Sequence, residues 1–190
     1  YDSYVNILNF YYNEKKFLDL NNLQFNILYA SLCNKMIKRY LYMSNKIAPF
    51  NNINMWEDLG VTTRLRYHCK RVAFLKKELY YNYNKQNQNS IVYIPKEENI
   101  EQQIECAKLL EIFFKTKGKN YDIVAAYLKF LSKSDYLYNK KVRNIEKWQA
   151  IYPEVNQYIF KFINLPLNIK SIAYLAANNK LFLLDKVLLL

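Results

Sequence analysis

Glycine and proline are scarce in this sequence, with 2 Gly and 4 Pro among 190 residues. The turns of many-stranded sheets and the loops that cradle phosphates both depend on these residues, so a β-sandwich and a Gly-rich nucleotide-binding fold are excluded. No apolar run reaches the roughly 20 residues that a spanning helix needs. The composition therefore favours helices. The chain begins at Tyr1 rather than at Met, and we expect a processed or partial product.

Potential metal ligands are also few, with 3 Cys and 1 His in the whole chain. The three cysteines are widely spaced and contain no Cys-x-x-Cys pair, which excludes a disulfide framework. One arrangement would join Cys33, His68, Cys69 and Cys106 as four zinc ligands, but structural zinc sites normally place ligands in close pairs. We expect incidental or buried thiols, and neither a metal nor a cofactor.

The sequence also lacks recognisable catalytic motifs: it has no phosphate loop, dinucleotide fingerprint, two-histidine metal helix or calcium loop. His68 has no Ser, Asp or Glu partner at a catalytic spacing. The carboxylates Glu97, Glu98, Glu101 and Glu105 crowd the start of a predicted helix, where they suit the positive end of the helix dipole. The sequence therefore predicts a protein that is not an enzyme.

Positive charge is the feature that the sequence has in excess. Lys and Arg number 28 against 16 Asp and Glu, which gives a formal net charge of +12 and a pI near 9.4. Apolar residues make up 52% of the chain and the mean hydropathy is -0.29, so a core can form within one domain or a domain with an extension. Part of the Tyr and Lys richness is typical of an AT-rich genome. The imbalance of sign nevertheless exceeds what solubility requires and predicts an anionic partner.

Apolar periodicity predicts a series of helices. The segment 23–45 places Phe25, Leu28, Tyr29, Leu32 and Met36 on one stripe, and Thr62 or Thr63 is predicted to cap a helix that runs to about residue 81. Gly118 is predicted to end one helix before the next begins. The remaining predicted helices lie at 4–12, 104–114, 123–130, from Pro153 to before Pro166, and at 171–177 and 181–190.

One segment has a different pattern. Aromatic and β-branched residues flank a polar turn at 84–89, which predicts a β-hairpin over about 79–95. Two strands alone are marginally stable in water, so the hairpin is expected to be an arm that contacts a partner.

Basic residues recur in separate clusters along the predicted helices. If the fold turns them to one side they would neutralise phosphates, and the alternative is an ordinary solvated surface. Among these residues the arginines are the strongest candidates for binding RNA, because the guanidinium group can both stack on a planar group and donate paired hydrogen bonds. The residues predicted to bind RNA, including two from the hairpin turn, are Lys15, Lys16, Arg64, Arg66, Arg71, Lys76, Lys77, Asn84, Lys85, Lys115, Lys117, Lys119, Lys140 and Lys141.

The order of these segments resembles a known family. A basic helix is followed by the hairpin and Ile91-Val92-Tyr93-Ile94-Pro95, then by a basic corner, the helix Tyr121-Asp122-Ile123-Val124-Ala125-Ala126-Tyr127-Leu128 and the pair Lys140-Lys141. With Tyr158 as the terminal tyrosine, this pattern is similar to small-subunit ribosomal protein seven over residues 4–160. Residues 161–190 have no counterpart in that family.

The resemblance implies a mainly α-helical bundle over 1–160 with one protruding β-hairpin, followed by a helical extension over 161–190. It implies a non-catalytic, rRNA-binding structural constituent of the mitochondrial small ribosomal subunit, located in the matrix and in the head of the subunit. Its partners would be small-subunit rRNA, neighbouring ribosomal proteins and tRNA near the exit site, with no membrane contact. Two alternatives remain at this point: a helical accessory subunit of a mitochondrial membrane complex, such as a respiratory complex or ATP synthase, and a free RNA-processing factor.

Overall fold

The computed structural model describes residues 30–33, 35–71, 96–118, 121–162, 165–180 and 182–184. The protein is mainly helical, as predicted, and no strand occurs among these residues. The predicted helix 4–12 and the predicted hairpin 79–95 lie outside the described residues. The helices are α1 (Arg39–Ser44), α2 (Glu57–His68), α3 (Glu97–Lys115), α4 (Asp122–Ser132), α5 (Asp135–Tyr138), α6 (Ile145–Ala150), a 3-10 helix (Pro153–Lys161) and α7 (Leu167–Ala177).

The chain divides into two compact units, Tyr1–Tyr93 and Ile94–Leu190. This division falls inside the segment predicted to form the hairpin, whereas the sequence predicts a boundary near residue 160. The described residues after 160 are part of the second unit, because α7 packs against both the 3-10 helix and α6.

The first unit is built around α1 and α2. Its core contains Ile47, Val61 and Leu65, with Leu41 from α1 packed against them. Carboxylates in the first turn of α2 stabilise the positive end of the helix dipole. α2 therefore buries most of its residues, whereas α1 contacts the core through the partly buried Leu41 and Tyr42.

The predicted continuous helix over 23–45 is interrupted: among the described residues Ala30 is helical, 31–33 and 35–38 are not, and α1 covers Arg39–Ser44. Side chains of α2 bind the backbone of residues 30–32 instead. The amide of Leu32 donates to Asp58 Oδ2 at 3.0 Å, and Thr62 Oγ1 donates to the carbonyl of Ala30 at 2.6 Å. Met36, predicted for the core stripe, is 90% exposed.

The predicted start of the next helix is also wrong. α2 begins at Glu57, five residues before the expected cap, and Thr62 and Thr63 are buried within it. The helix ends at His68, because Cys69 has extended backbone angles. The missed signal was the pair of carboxylates in the first turn, which marks a helix start as well as a threonine does.

In the second unit α3 and α4 pack along each other, and the predictions of helices at 104–114 and 123–130 are confirmed. Gly118 allows the reversal between them, since its φ of +103° is a conformation that side chains other than glycine rarely adopt. The rings of Phe114 and Tyr121 stack at 5.4 Å across the same connection. Together they form a helical hairpin that anchors the rest of the unit.

The end of the chain is helical where it is described. The helix predicted to begin at Pro153 is confirmed as a 3-10 helix that ends at Lys161. α7 begins directly after Pro166, four residues earlier than predicted, and buries Ala173 and Ala176. Residues 182–184 form a further helical turn with Leu184 buried, and the rest of the predicted helix 181–190 lies outside the described residues. None of the described helices has the length and apolar character required to cross a membrane.

Candidate nucleic-acid interface

In the first unit, Arg64 links α2 to the loop before it. Its guanidinium lies 3.9 Å from the ring centroid of Phe50, and its Nε donates to the carbonyl of Gly60 at 2.8 Å. The same guanidinium donates to the carbonyl of Ala48. A stacked, hydrogen-bonded arginine has a fixed orientation, so its partly exposed edge is positioned for a planar anionic partner.

The other predicted arginines of this unit differ in exposure. Arg66 is only 6% exposed, so in this conformation it presents almost no surface to a phosphate. Arg71 and its neighbour Lys70 follow the end of α2 and are exposed. The exposed cations described in this unit are Lys38, Arg39, Lys46, Lys70 and Arg71, and Arg64 is partly exposed; of these six the RNA-binding prediction contained Arg64 and Arg71.

Half of the predicted RNA-binding residues fall where the structure gives no description. These residues are Lys15, Lys16, Lys76, Lys77, Asn84, Lys85 and Lys119.

The second unit places its predicted cations in two corners. Lys115 is the last residue of α3 and Lys117 follows it, with its ammonium 5.1 Å from the ring centroid of Phe113. We call this pair the 115–117 corner. Lys140 and Lys141 are exposed in the turn between α5 and α6, where the amide of Lys141 donates to Asn139 Oδ1 at 3.2 Å. We call this pair the 140–141 corner.

The two corners lie at opposite ends of α3. Its first turn contains Glu97, which accepts a hydrogen bond from Tyr136 at 3.2 Å and pairs with Lys147, so α5 and α6 are attached at this end. Hydrogen bonding to Lys147 and Tyr136 lowers the pKa of Glu97. From Glu97 to Lys115 the helix rises about 27 Å at 1.5 Å per residue. The corners therefore cannot contact the same phosphate.

Two other lysines of this unit serve the fold. Lys129 Nζ lies 3.0 Å from Glu111 Oε1 and 2.7 Å from Glu154 Oε1, and it is 4.4 Å from the ring centroid of Tyr152. Burial disfavours its charge, but the hydrogen bonds to Glu154 and Glu111 outweigh burial and raise its pKa. Lys129 therefore joins α4, α3 and the 3-10 helix instead of binding a partner.

Lys133 is fully buried just after α4. Its Nζ donates to the carbonyls of Trp148 and Ile151 at 3.0 and 2.7 Å, and to Asn156 Oδ1 at 2.9 Å. It also lies 4.2 Å from the ring centroid of Trp148. Burial lowers the pKa of Lys133 to about 7. This side chain satisfies carbonyls at the end of α6 that would otherwise have no partner there.

The basic excess of the described residues is therefore uneven. The described part of the first unit has eight Lys and Arg against two carboxylates. The described part of the second unit has thirteen against nine, and two of its lysines are buried. Its exposed lysines include Lys115 of the 115–117 corner and both members of the 140–141 corner, and Lys117 is half-buried.

Among the described residues, no group of three or more His, Cys, Asp or Glu side chains lies close enough together to bind a metal ion. Cys33 is exposed, Cys69 is half-buried, and Cys106 is buried within α3.

Comparison with known proteins gives no relative. No protein-family model, no curated protein and no solved structure matches the chain. The resemblance to ribosomal protein seven rests on the residues quoted above.

Proposed function

We propose that this protein is a non-catalytic, rRNA-binding structural constituent of the mitochondrial small ribosomal subunit. The observation that carries the proposal is the placement of exposed lysines in segments attached at the two ends of α3, a helix that rises about 27 Å. A protein that positions itself on folded RNA needs phosphate contacts at fixed separations. The ion pairs of Lys129 join α4 to α3 and to the 3-10 helix, and the buried ammonium of Lys133 binds the end of α6.

The described part of the first unit has the larger excess of Lys and Arg over Asp and Glu. Arg64, held against Phe50, and the exposed Lys70 and Arg71 would add contacts to phosphates or unpaired bases. The resemblance adds the finer parts of the proposal, which are a hairpin over 79–95, a location in the head near the tRNA exit site, and ribosomal proteins as neighbours.

Sedimentation tests the assignment. The tagged full chain, expressed in mitochondria, is expected to sediment with the small ribosomal subunit and to move to light fractions when the lysate is treated with ribonuclease. Detergent should leave its sedimentation unchanged, because rRNA rather than lipid would hold the particle together.

The opposite pattern would contradict the proposal. Movement caused by detergent and not by ribonuclease would indicate an accessory subunit of a membrane complex. Binding to isolated RNA without co-sedimentation with ribosomal subunits would indicate a free RNA-processing factor.

A further inference from the structure

The second unit exposes an apolar surface on α7 and the 3-10 helix. Phe160 is 56% exposed, Leu167 is 71% exposed and Tyr174 is 47% exposed. The rings of Phe160 and Tyr174 are in contact, with centroids 5.5 Å apart. Leu167 and Tyr174 are seven residues apart on one helix, which places them two turns apart on the same side. We call the surface formed by Phe160, Leu167, Lys170 and Tyr174 the α7 face.

The exposure of this face does not come from a loosely attached helix. Near its start, the carbonyl of Ile169 accepts a hydrogen bond from the Tyr138 hydroxyl at 2.9 Å. Near its end, the carbonyl of Ala176 accepts one from Gln149 Nε2 at 2.6 Å. The opposite side of α7 buries Ala176 completely. The helix is therefore held at both ends while its apolar side remains uncovered.

The segment that forms the α7 face carries charge of one sign, between Glu154 before it and Asp185 after it. The sequence 155–184 contains Lys161, Lys170 and Lys180 and no Asp or Glu. Lys161 and Lys180 are exposed, and Lys170 lies between Leu167 and Tyr174 along the helix. An apolar centre with cations around it matches the usual anatomy of a protein interface, in which charged groups occupy the rim.

We propose that the α7 face binds an amphipathic helix of another protein, with apolar residues along its centre and Asp or Glu along its edges. The apolar residues would cover Phe160, Leu167 and Tyr174, and the carboxylates would pair with the lysines at the rim. A protein suits this surface better than RNA, because the most exposed residue, Leu167, has no ring on which a base could stack. The inference goes beyond the RNA-binding role and does not depend on it.

Carbodiimide crosslinking of the native particle that contains the full chain tests the proposal, since this reagent joins amines only to carboxylates in contact. We expect Lys161, Lys170 or Lys180 to be joined to Asp or Glu within one segment of a different protein. A synthetic peptide of that segment should bind the full chain, and the double variant Phe160→Ser, Tyr174→Ser should bind it at least tenfold more weakly.

Two further variants make the result specific. Ile112→Ser removes an apolar side chain that is 52% exposed on α3, and it should bind the peptide as the wild type does. Lys170→Glu should weaken binding of the peptide about tenfold. This variant keeps both aromatic rings, so it tests the proposal even if the double serine variant folds poorly.

Several results would overturn the proposal. These are crosslinks between two isotopically distinguished copies of the chain, crosslinks to its own residues 1–29 or 185–190, ultraviolet crosslinking of RNA to Phe160 or Tyr174, and the absence of a lysine crosslink. A ribonuclease-insensitive particle in which the α7 face still binds the peptide would refute the ribosomal assignment alone.

Discussion

At the scale of single residues, lysines with similar neighbours in the sequence differ in their surroundings, since some are exposed to solvent and others are buried in the fold. Lys129 and Lys133 lie in a stretch that resembles any amphipathic helix with solvated lysines, yet both are buried. Their partners, Glu154 and the carbonyls of Trp148 and Ile151, follow 15 to 25 residues later. Sequence patterns report local spacing and cannot show which distant carbonyls lack a partner, so these contacts could not be predicted.

The two lysines should differ in their contribution to stability. Lys133→Met retains the length of the side chain but leaves buried carbonyls without a donor, and we expect it to lower the free energy of unfolding by about 3 kcal/mol. Lys129→Met leaves carboxylates that are partly exposed and can be hydrated, so we expect a loss of about 1 kcal/mol. Urea denaturation of both variants measures this difference. Equal losses would show that the carbonyl contacts of Lys133 contribute little.

The pH dependence of stability should also reveal Lys133. Its pKa falls from 10.5 to about 7 on folding, so between these values the unfolded chain binds more protons than the folded chain. Stability from this group therefore rises with pH across that window. The difference in unfolding free energy between wild type and Lys133→Met should be constant below about pH 7 and should grow from about pH 7 to pH 9 in urea denaturation.

Lys129→Met is the control for that experiment. The pKa of Lys129 is raised on folding, so its contribution is fully present below its unfolded value and is lost only as the pH rises through the higher folded pKa. Its difference from wild type should therefore not grow over the same range. A parallel increase in both variants would assign the effect to another group.

At the scale of elements, helices were predicted correctly where each helix buries an apolar side of its own. α3 and α4 follow from periodicity because Leu110, Phe114 and Leu128 pack directly between them. Prediction failed before α2, where Asp58 and Thr62 bind the backbone of residues 30–32 and compete with a helix there. Side chains that bind distant backbone atoms leave no periodic signal, which explains why the 23–45 prediction was wrong.

The start of α6 depends on one side chain. Asn144 Oδ1 accepts a hydrogen bond from the amide of Lys147 at 2.9 Å, which caps a helix of six residues that carries the buried Trp148. Asn144→Ala should lower the unfolding free energy by about 1 kcal/mol, and Asn144→Asp should largely restore it. Thermal unfolding followed by circular dichroism measures both. Asn139→Ala, which removes a comparable bond in a turn, should cost less, and an equal cost would argue against a specific capping role.

At the scale of the whole molecule, net charge predicted an anionic partner but not the side chains that would meet it. The exposed Lys115, Lys140 and Lys141 were predicted from clusters alone. Arg66 belongs to an equally basic cluster and is buried, one turn after the buried Thr62 in a helix most of whose residues are buried. Exposure depends on which neighbouring helix covers a position, and composition does not contain that information.

We expect RNA affinity to depend on the positions of the exposed lysines and not only on the net charge. Removing the 140–141 corner with Lys140→Ala, Lys141→Ala should reduce the slope of log affinity against log salt concentration by about 0.7 to 0.9 for each lost phosphate contact. Removing the 115–117 corner with Lys115→Ala, Lys117→Ala should give a similar reduction. Because the corners belong to segments attached at opposite ends of α3, a helix that rises about 27 Å, the two losses in binding free energy should add in the quadruple variant.

The matched control removes the same charge from two lysines outside both corners. Lys108 pairs with Glu105 within α3, and Lys161 ends the 3-10 helix with its ammonium over the ring of Tyr158, so the variant Lys108→Ala, Lys161→Ala loses two positive charges while both corners and the Glu97–Lys147 pair remain. Filter binding to small-subunit rRNA across a salt series should give this control a slope close to that of the wild type. The slope reports the number of direct phosphate contacts, because each such contact releases counterions. An equal reduction of the slope in the control and in the corner variants would therefore show that RNA affinity depends on total charge and not on the corners.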